Sequence, residues 1–143
     1  MKVIVFYGTD CNDKTAWIPW LKEQLTKQGV ECVIPNLPTP ENQTYKSWAK
    51  ITKNININDD DIIVGWSTGA IFSVRYLYEN NIKVKKLILI SGFNNDDPFI
   101  SQQALNDFAN ELNAKTINIL SGGHFNSNAG YNKFPELLSQ IKK

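Results

Sequence analysis

The strongest constraint in this sequence is an alternation: short apolar runs and segments of helical period follow one another five times along the chain. The first run, Val3 to Tyr7, is rich in β-branched and aromatic residues and reads as a buried strand. Asp13 is placed to cap a helix in which Trp17, Trp20, Leu21 and Leu25 share a face, with Pro19 in its first turn and Gly29 as its stop. Cys32 to Ile34 forms a second strand ended by Pro35, and the proline-bearing stretch 36–42 must be a loop. A short helix around Tyr45, Trp48 and Ile51 precedes the run Ile62-Ile63-Val64. Ala70, Ile71, Val74, Leu77 and Tyr78 then mark a helix with one buried face. The remaining two units pair Leu87–Ile90 with a helix around Ala104, Leu105, Phe108 and Leu112, and Ile117–Leu120 with a helix through Phe134, Leu137, Leu138 and Ile141.

Strict strand–helix alternation implies an α/β fold: a doubly wound, mainly parallel five-stranded sheet with helices on both faces. Right-handed crossovers leave few topologies, of which the flavodoxin-like order 2-1-3-4-5 is the simplest. The 143 residues suit a single domain spanning 1–143, large enough to need no disulfide or metal staple. The net charge of +1 carries no electrostatic footprint for nucleic acid or an anionic membrane. The densest charge run, Asp59-Asp60-Asp61, reads as a solvated turn before a strand. Cys11 and Cys32 are too few for a disulfide framework and have no zinc-like spacing, which fits a reduced cytoplasmic setting. The apolar run at the start is too short for a signal peptide or a membrane span. A parallel sheet with exposed edges leaves monomer and homodimer both open.

Ligands of such sheets sit at the carboxyl ends of the strands, where Gly65-Trp66-Ser67-Thr68-Gly69 lies between strand and helix. This Gly-x-Ser-x-Gly pattern in that context is a nucleophile elbow, a turn so tight that only small residues fit two positions either side of the serine. The Thr68 backbone N–H, next to the helix N-terminus, is placed to stabilise an oxyanion. A second donor is expected near Gly8 or Thr9, in the loop after the first strand; that loop has neither phosphate-binding pattern. The chain's one histidine, His124, follows the last strand in Ser121-Gly122-Gly123-His124-Phe125, after the serine in order and at a strand's carboxyl end, as a general base requires. The acid should come from Asn94-Asn95-Asp96-Asp97-Pro98, where Asp97 is favoured and Asp96 is the fallback; both could instead cap the next helix. Cys11 is a rival nucleophile with no base supplied to it. Trp17 and Trp66 are candidates to line the site mouth and bind substrate, while tryptophans at such positions more often belong to a core.

With these residues placed, the chain resembles the small serine hydrolases of the RBBP9/YdeN type, a compact branch of the α/β-hydrolase fold. The resemblance rests on Trp17-Ile18-Pro19-Trp20-Leu21, Ile34-Pro35-Asn36-Leu37-Pro38, Val64-Gly65-Trp66-Ser67-Thr68-Gly69-Ala70, Asp96-Asp97-Pro98-Phe99, Gly122-Gly123-His124-Phe125 and Phe134-Pro135-Glu136-Leu137. It implies Ser67, Asp97 and His124 as nucleophile, acid and base, small ester or acyl substrates, and no cofactor. Two departures stand out. Trp66 occupies a position that is commonly His in the family. Relatives also carry extra residues, including a strand, between the equivalent of Leu87–Ile90 and the Asp-Asp-Pro loop. Removing a strand moves everything beyond it by about 4.8 Å, so the triad survives only if the last strand closes the gap. The leading expectation is therefore an esterase-like hydrolase working through an acyl-Ser67 intermediate. The competing ones are a catalytically disabled binding protein on the same fold and, from strand order alone, a flavin or nucleotide binder.

Overall fold

The computed structural model describes residues 1–90, 117 and 122–143. Its elements are β1 (Lys2–Phe6), α1 (Ile18–Thr26), β2 (Glu31–Val33), α2 (Tyr45–Thr52), β3 (Ile62–Trp66), α3 (Thr68–Glu79), β4 (Lys86–Ile90) and α4 (Pro135–Lys142), with a 3-10 turn at Ser127–Ala129 before α4. Among the described residues the sheet has four strands rather than five, in the order β2-β1-β3-β4, and every neighbouring pair is parallel. The expected fifth strand falls outside the described residues except for Ile117, which is half exposed. β3 is buried along its whole length, whereas β4, the edge of the described sheet, is only half-buried at its first four residues.

The strand order fixes where each helix must lie. The chain leaves β1 toward β2 in one direction and later leaves β3 toward β4 in the other, so right-handed connections put α1 on one face and α2 and α3 on the opposite face. The aromatic packing agrees. Phe6 of β1 meets Phe72 of α3 at 5.1 Å between ring centroids, and Trp48 of α2 meets the same Phe72 at 5.2 Å. On the other side Trp17, just before α1, packs against Trp66 of β3 at 5.5 Å and against Phe134, just before α4, at 5.9 Å. Burying each such ring is worth about 2–3 kcal/mol, so these two clusters anchor the two helical layers.

Four local readings are corrected. α3 buries Phe72, Ser73, Tyr76 and Leu77, whereas Ile71 and Tyr78 of the expected buried face are exposed. α1 starts at Ile18, not at Asp13. Asn12 accepts from the Lys14 N–H at 2.8 Å and Ala16 sits at φ 51°, so residues 12–16 are spent in turns before a helix can begin. Pro19 does fall in the first helical turn, and Gly29, at φ 72°, closes the helix as the Val30 N–H reaches back to the Leu25 carbonyl at 3.0 Å. The aspartate run is not wholly solvated: Asp59 and Asp60 are exposed, but Asp61 is 1% exposed. Its carboxylate accepts from the Lys2 N–H at 2.8 Å, the Lys2 ammonium at 2.7 Å and the Asn58 N–H at 2.8 Å. Burial alone would raise its pKa; these hydrogen bonds and the Lys2 charge outweigh burial and hold it below the ordinary value. Lastly, Trp17 and Trp66 are 0% and 1% exposed, core residues rather than walls of an open mouth, because they close the aromatic cluster between β3 and the two helices on that face.

Candidate active site

β1 and β3 are adjacent and parallel, and their connections depart to opposite sides. The crevice between their carboxyl ends is thus the switch point of the sheet, the place where such folds bind ligands. Both turns that enter it come from the residues singled out in the sequence.

Ser67 follows β3 directly and carries φ 55° and ψ −125°, a strained conformation for a residue with a side chain. The strain is imposed by packing. A Cβ on Gly69 would lie 2.1 Å from the Phe6 carbonyl oxygen and 2.5 Å from that of Tyr7, so only glycine lets α3 start against β1. A Cβ on Gly65 would meet the Ala70 Cα and the Ser73 Oγ, each at 2.7 Å. Ser73 is fully buried and bonds the Gly69 carbonyl at 2.6 Å, which locks the first turn of α3. The Ser67 N–H still donates to the Ile90 carbonyl at 2.8 Å, tying the elbow to β4. The turn through Ser67 is therefore tight, with glycine required two positions on either side.

Gly8 lies against Ser67: a Cβ there would sit 2.8 Å from the Ser67 Cβ and 3.2 Å from its Oγ. The loop after β1 and the start of α3 thus face each other across the serine. Thr68 opens α3, where backbone N–H groups have no partner within the helix and the dipole favours negative charge. Thr9 and Thr68 approach to 3.4 Å between hydroxyl oxygens. One residue that the sequence reading missed also belongs here. Gln43, in the loop before α2, donates to Thr9 Oγ1 at 2.9 Å and to Thr68 Oγ1 at 3.1 Å. No local signal marks it, since its partners lie 34 and 25 residues away.

His124 is exposed and sits between Gly123, at φ 52°, and Phe125, at φ 53°. Trp66, the neighbour of Ser67, donates its indole N–H to the His124 carbonyl at 3.0 Å, and the two rings are 6.0 Å apart. Phe125 behind it stacks on Phe134 at 5.3 Å. The histidine loop is thereby fastened to the carboxyl end of β3. Asp97 and Asp96 lie outside the described residues.

Cys11 is held as a thiol. Burial raises its pKa, with the Asp10 charge adding to the rise and a backbone hydrogen bond from Gly8 opposing it; the thiol itself donates to the Thr9 carbonyl at 3.3 Å. Neither feature suits a nucleophile, which must be a thiolate. A cleft of about 360 Å³ lined by Tyr7, Asp13, Lys14, Ile34, Pro35 and Asn36 lies beside the β1 loop, and none of the proposed catalytic residues lines it. Among the described residues no cluster of His, Cys, Asp or Glu could hold a metal ion, and no helix is long and apolar enough to cross a membrane.

A family model described as serine hydrolase matches residues 93–143. Across the chain, YdeN of Bacillus subtilis (strain 168) is 21% identical over 174 residues, covering 94% of this chain and 90% of its own. The serine hydrolase RBBP9 of Rattus norvegicus is 23% identical over 180 residues, covering 99% and 94%. Both alignments are longer than the 143 residues of this chain, so each relative has residues without a counterpart here. Among solved structures, the ydeN gene product of B. subtilis superposes with a TM-score of 0.84 at 18% identity, covering 99% of this chain and 96% of that one. A YdeN-like protein of Pectobacterium atrosepticum gives 0.76 at 12% identity, covering 98% and 88%. The α/β fold with its parallel sheet is shared with these structures, and the resemblance read from the sequence motifs is borne out.

Proposed function

We propose that this chain, a shortened relative of the RBBP9/YdeN-type serine hydrolases, cleaves small esters, thioesters or amides through an acyl-Ser67 intermediate. The kinship supports hydrolase function in general. The observation that carries the finer reading is the elbow. Ser67 is held at φ 55° at the switch point of the sheet, with Gly8 against it on one side and the first turn of α3 on the other.

In the proposed reaction the Ser67 Oγ attacks the carbonyl carbon while His124 takes the hydroxyl proton. The carbonyl oxygen becomes an oxyanion, received by the Thr68 N–H and by an N–H from the Gly8–Thr9 turn. As the tetrahedral species collapses, the bond to the leaving alcohol, thiol or amine breaks and His124 returns the proton to it. Water, deprotonated by His124, then attacks the acyl carbon; as the bond to Oγ breaks, His124 returns that proton to Ser67 and the acid is released. Asp97 is the proposed acid that orients the imidazole, with Asp96 as its substitute. Trp66 takes the part of a positioning residue for the base loop, a role that its burial suits better than substrate contact. The chain's own residues suffice for these steps, and the proposed substrate is a small molecule.

The test is labelling with a fluorophosphonate probe, located by peptide mass spectrometry, in wild type, Ser67→Ala and His124→Ala. Labelling at Ser67 that both substitutions abolish is the expected result. Folded wild-type protein that stays unlabelled would overturn the proposal and leave a disabled hydrolase fold.

A further inference from the structure

We propose that Gln43 is a positioning residue for the oxyanion hole, holding its two halves at a fixed separation; this rests on the hydrolase reading of Ser67. β1 and β3 pair in register, with Phe6 opposite Gly65. The same offset, carried three residues on, sets Thr9 opposite Thr68. By then the sheet has ended: β1 stops at Phe6, and Thr68 already belongs to α3. No ladder hydrogen bond can set the distance between the two turns there, although that distance decides whether both backbone N–H groups reach one oxygen.

The Thr9 and Thr68 hydroxyls touch directly only at 3.4 Å, and Gln43 adds a shorter tie to each. Its amide nitrogen donates to Thr9 Oγ1 at 2.9 Å and to Thr68 Oγ1 at 3.1 Å, while its amide oxygen accepts from Thr39 Oγ1 at 2.9 Å. The Thr39 hydroxyl accepts from the Asp10 N–H at 3.0 Å and donates to the Gln43 amide oxygen, which leaves the amide nitrogen for the two threonine hydroxyls. The bracket thus holds the β1 loop at two adjacent residues, Thr9 directly and Asp10 through Thr39.

Gln43 is itself firmly seated. Thr44, the next residue, caps α2 in a reciprocal capping box with Ser47, and the Ser47 hydroxyl bonds the carbonyl of Asn42 at 2.5 Å. Trp48 of α2 also donates to the Pro38 carbonyl at 2.8 Å. The amide is presented from the N-terminus of a helix rather than from a free loop. Such support is what a site needs when angstrom-scale errors in donor position cost rate.

Two variants separate positioning from general stability. Gln43→Ala removes the bracket. Gln43→Glu keeps its shape but sets a carboxylate beside the developing oxyanion. With p-nitrophenyl acetate as substrate, Gln43→Ala should lower kcat about tenfold with KM within about twofold, the signature of a loss felt in the transition state. Gln43→Glu should fall further at pH 8, and its rate relative to wild type should recover as pH drops toward the ordinary Glu range near about 4.3, where the added charge is neutralised. Thermal melts of both variants should stay close to wild type. Wild type that labels at Ser67 alongside variants of unchanged kcat would overturn the inference and leave the hydrolase reading standing. So would a loss that follows the melting temperature, or a Gln43→Glu ratio flat with pH. Wild type that neither labels nor turns over would overturn both together.

Discussion

Ser67 carries a cost that the proposed attack by its hydroxyl would explain. A non-glycine residue at φ 55° stores strain of about 1–3 kcal/mol, which glycine would not feel. Ser67→Gly should therefore be more stable than Ser67→Ala by about 1 kcal/mol in urea melts, although the proposed mechanism makes both inactive. Equal stabilities would mean that the elbow is unstrained. Trp66 offers a second test. Trp66→Phe keeps an aromatic ring in the cluster but removes the donor to the His124 carbonyl, a hydrogen bond worth about 1 kcal/mol. If that bond orients the base loop, kcat for the ester should fall about fivefold with KM little changed. An unchanged kcat would make the contact purely structural. The cysteines should be bystanders. Burial raises the Cys32 pKa to about 11 against the opposing Lys22 charge, and Cys11 is also shifted upward. Iodoacetamide at pH 7.5 should accordingly leave ester hydrolysis intact.

At the scale of elements, the strand-to-helix joints carry the design. Gly69 permits the contact between the start of α3 and the end of β1 that no side chain could share, with the Phe6 oxygen 2.1 Å from the site of any Cβ. Gly69→Ala should cost about 3 kcal/mol or more, measured by urea unfolding, because backbone rather than a flexible side chain would have to move. A loss under about 1 kcal/mol would show that α3 can shift without consequence. This joint was legible in the sequence, because a tight turn leaves a residue-level trace: small, Ser, small between an apolar run and a 3.6-residue period. Strands β1 and β3 were legible for a similar reason, as β-branched runs bounded by turn residues. The start of α1 was not, because Asp13 is as good a cap by type as any; what moves the start to Ile18 is the turn held by Asn12 and the positive φ of Ala16.

For the whole molecule, what the sequence conceals is what depends on contact between distant segments. Gln43 meets Thr9 across 34 residues and Asp61 meets Lys2 across 59, and neither leaves a local pattern. Trp17 and Trp66 were recognisable as large aromatics near the site, but their interior position follows only once α1 and α4 close over the same face of the sheet. Asp61 shows how such a contact can govern global stability. Its carboxylate ties the first residue of β1 to the turn before β3, and its backbone carbonyl accepts from Lys85 at 2.9 Å, just ahead of β4. Three strands are joined at one residue. Because the folded pKa lies below the unfolded value of about 3.9, the ionised carboxyl stabilises the fold above that pH. That contribution is lost as pH falls through 3.9 toward the folded pKa. Asp61→Asn, which keeps the shape but not the charge, should lower stability at pH 7 by about 2 kcal/mol, the scale of hydrogen bonds to a charged group. Urea melts at pH 7 and at pH 3 should show the gap to wild type narrowing at the lower pH. A gap independent of pH would mean that the residue acts through shape and neutral hydrogen bonds alone, and that the Lys2 ion pair contributes nothing to holding the amino ends of these strands together.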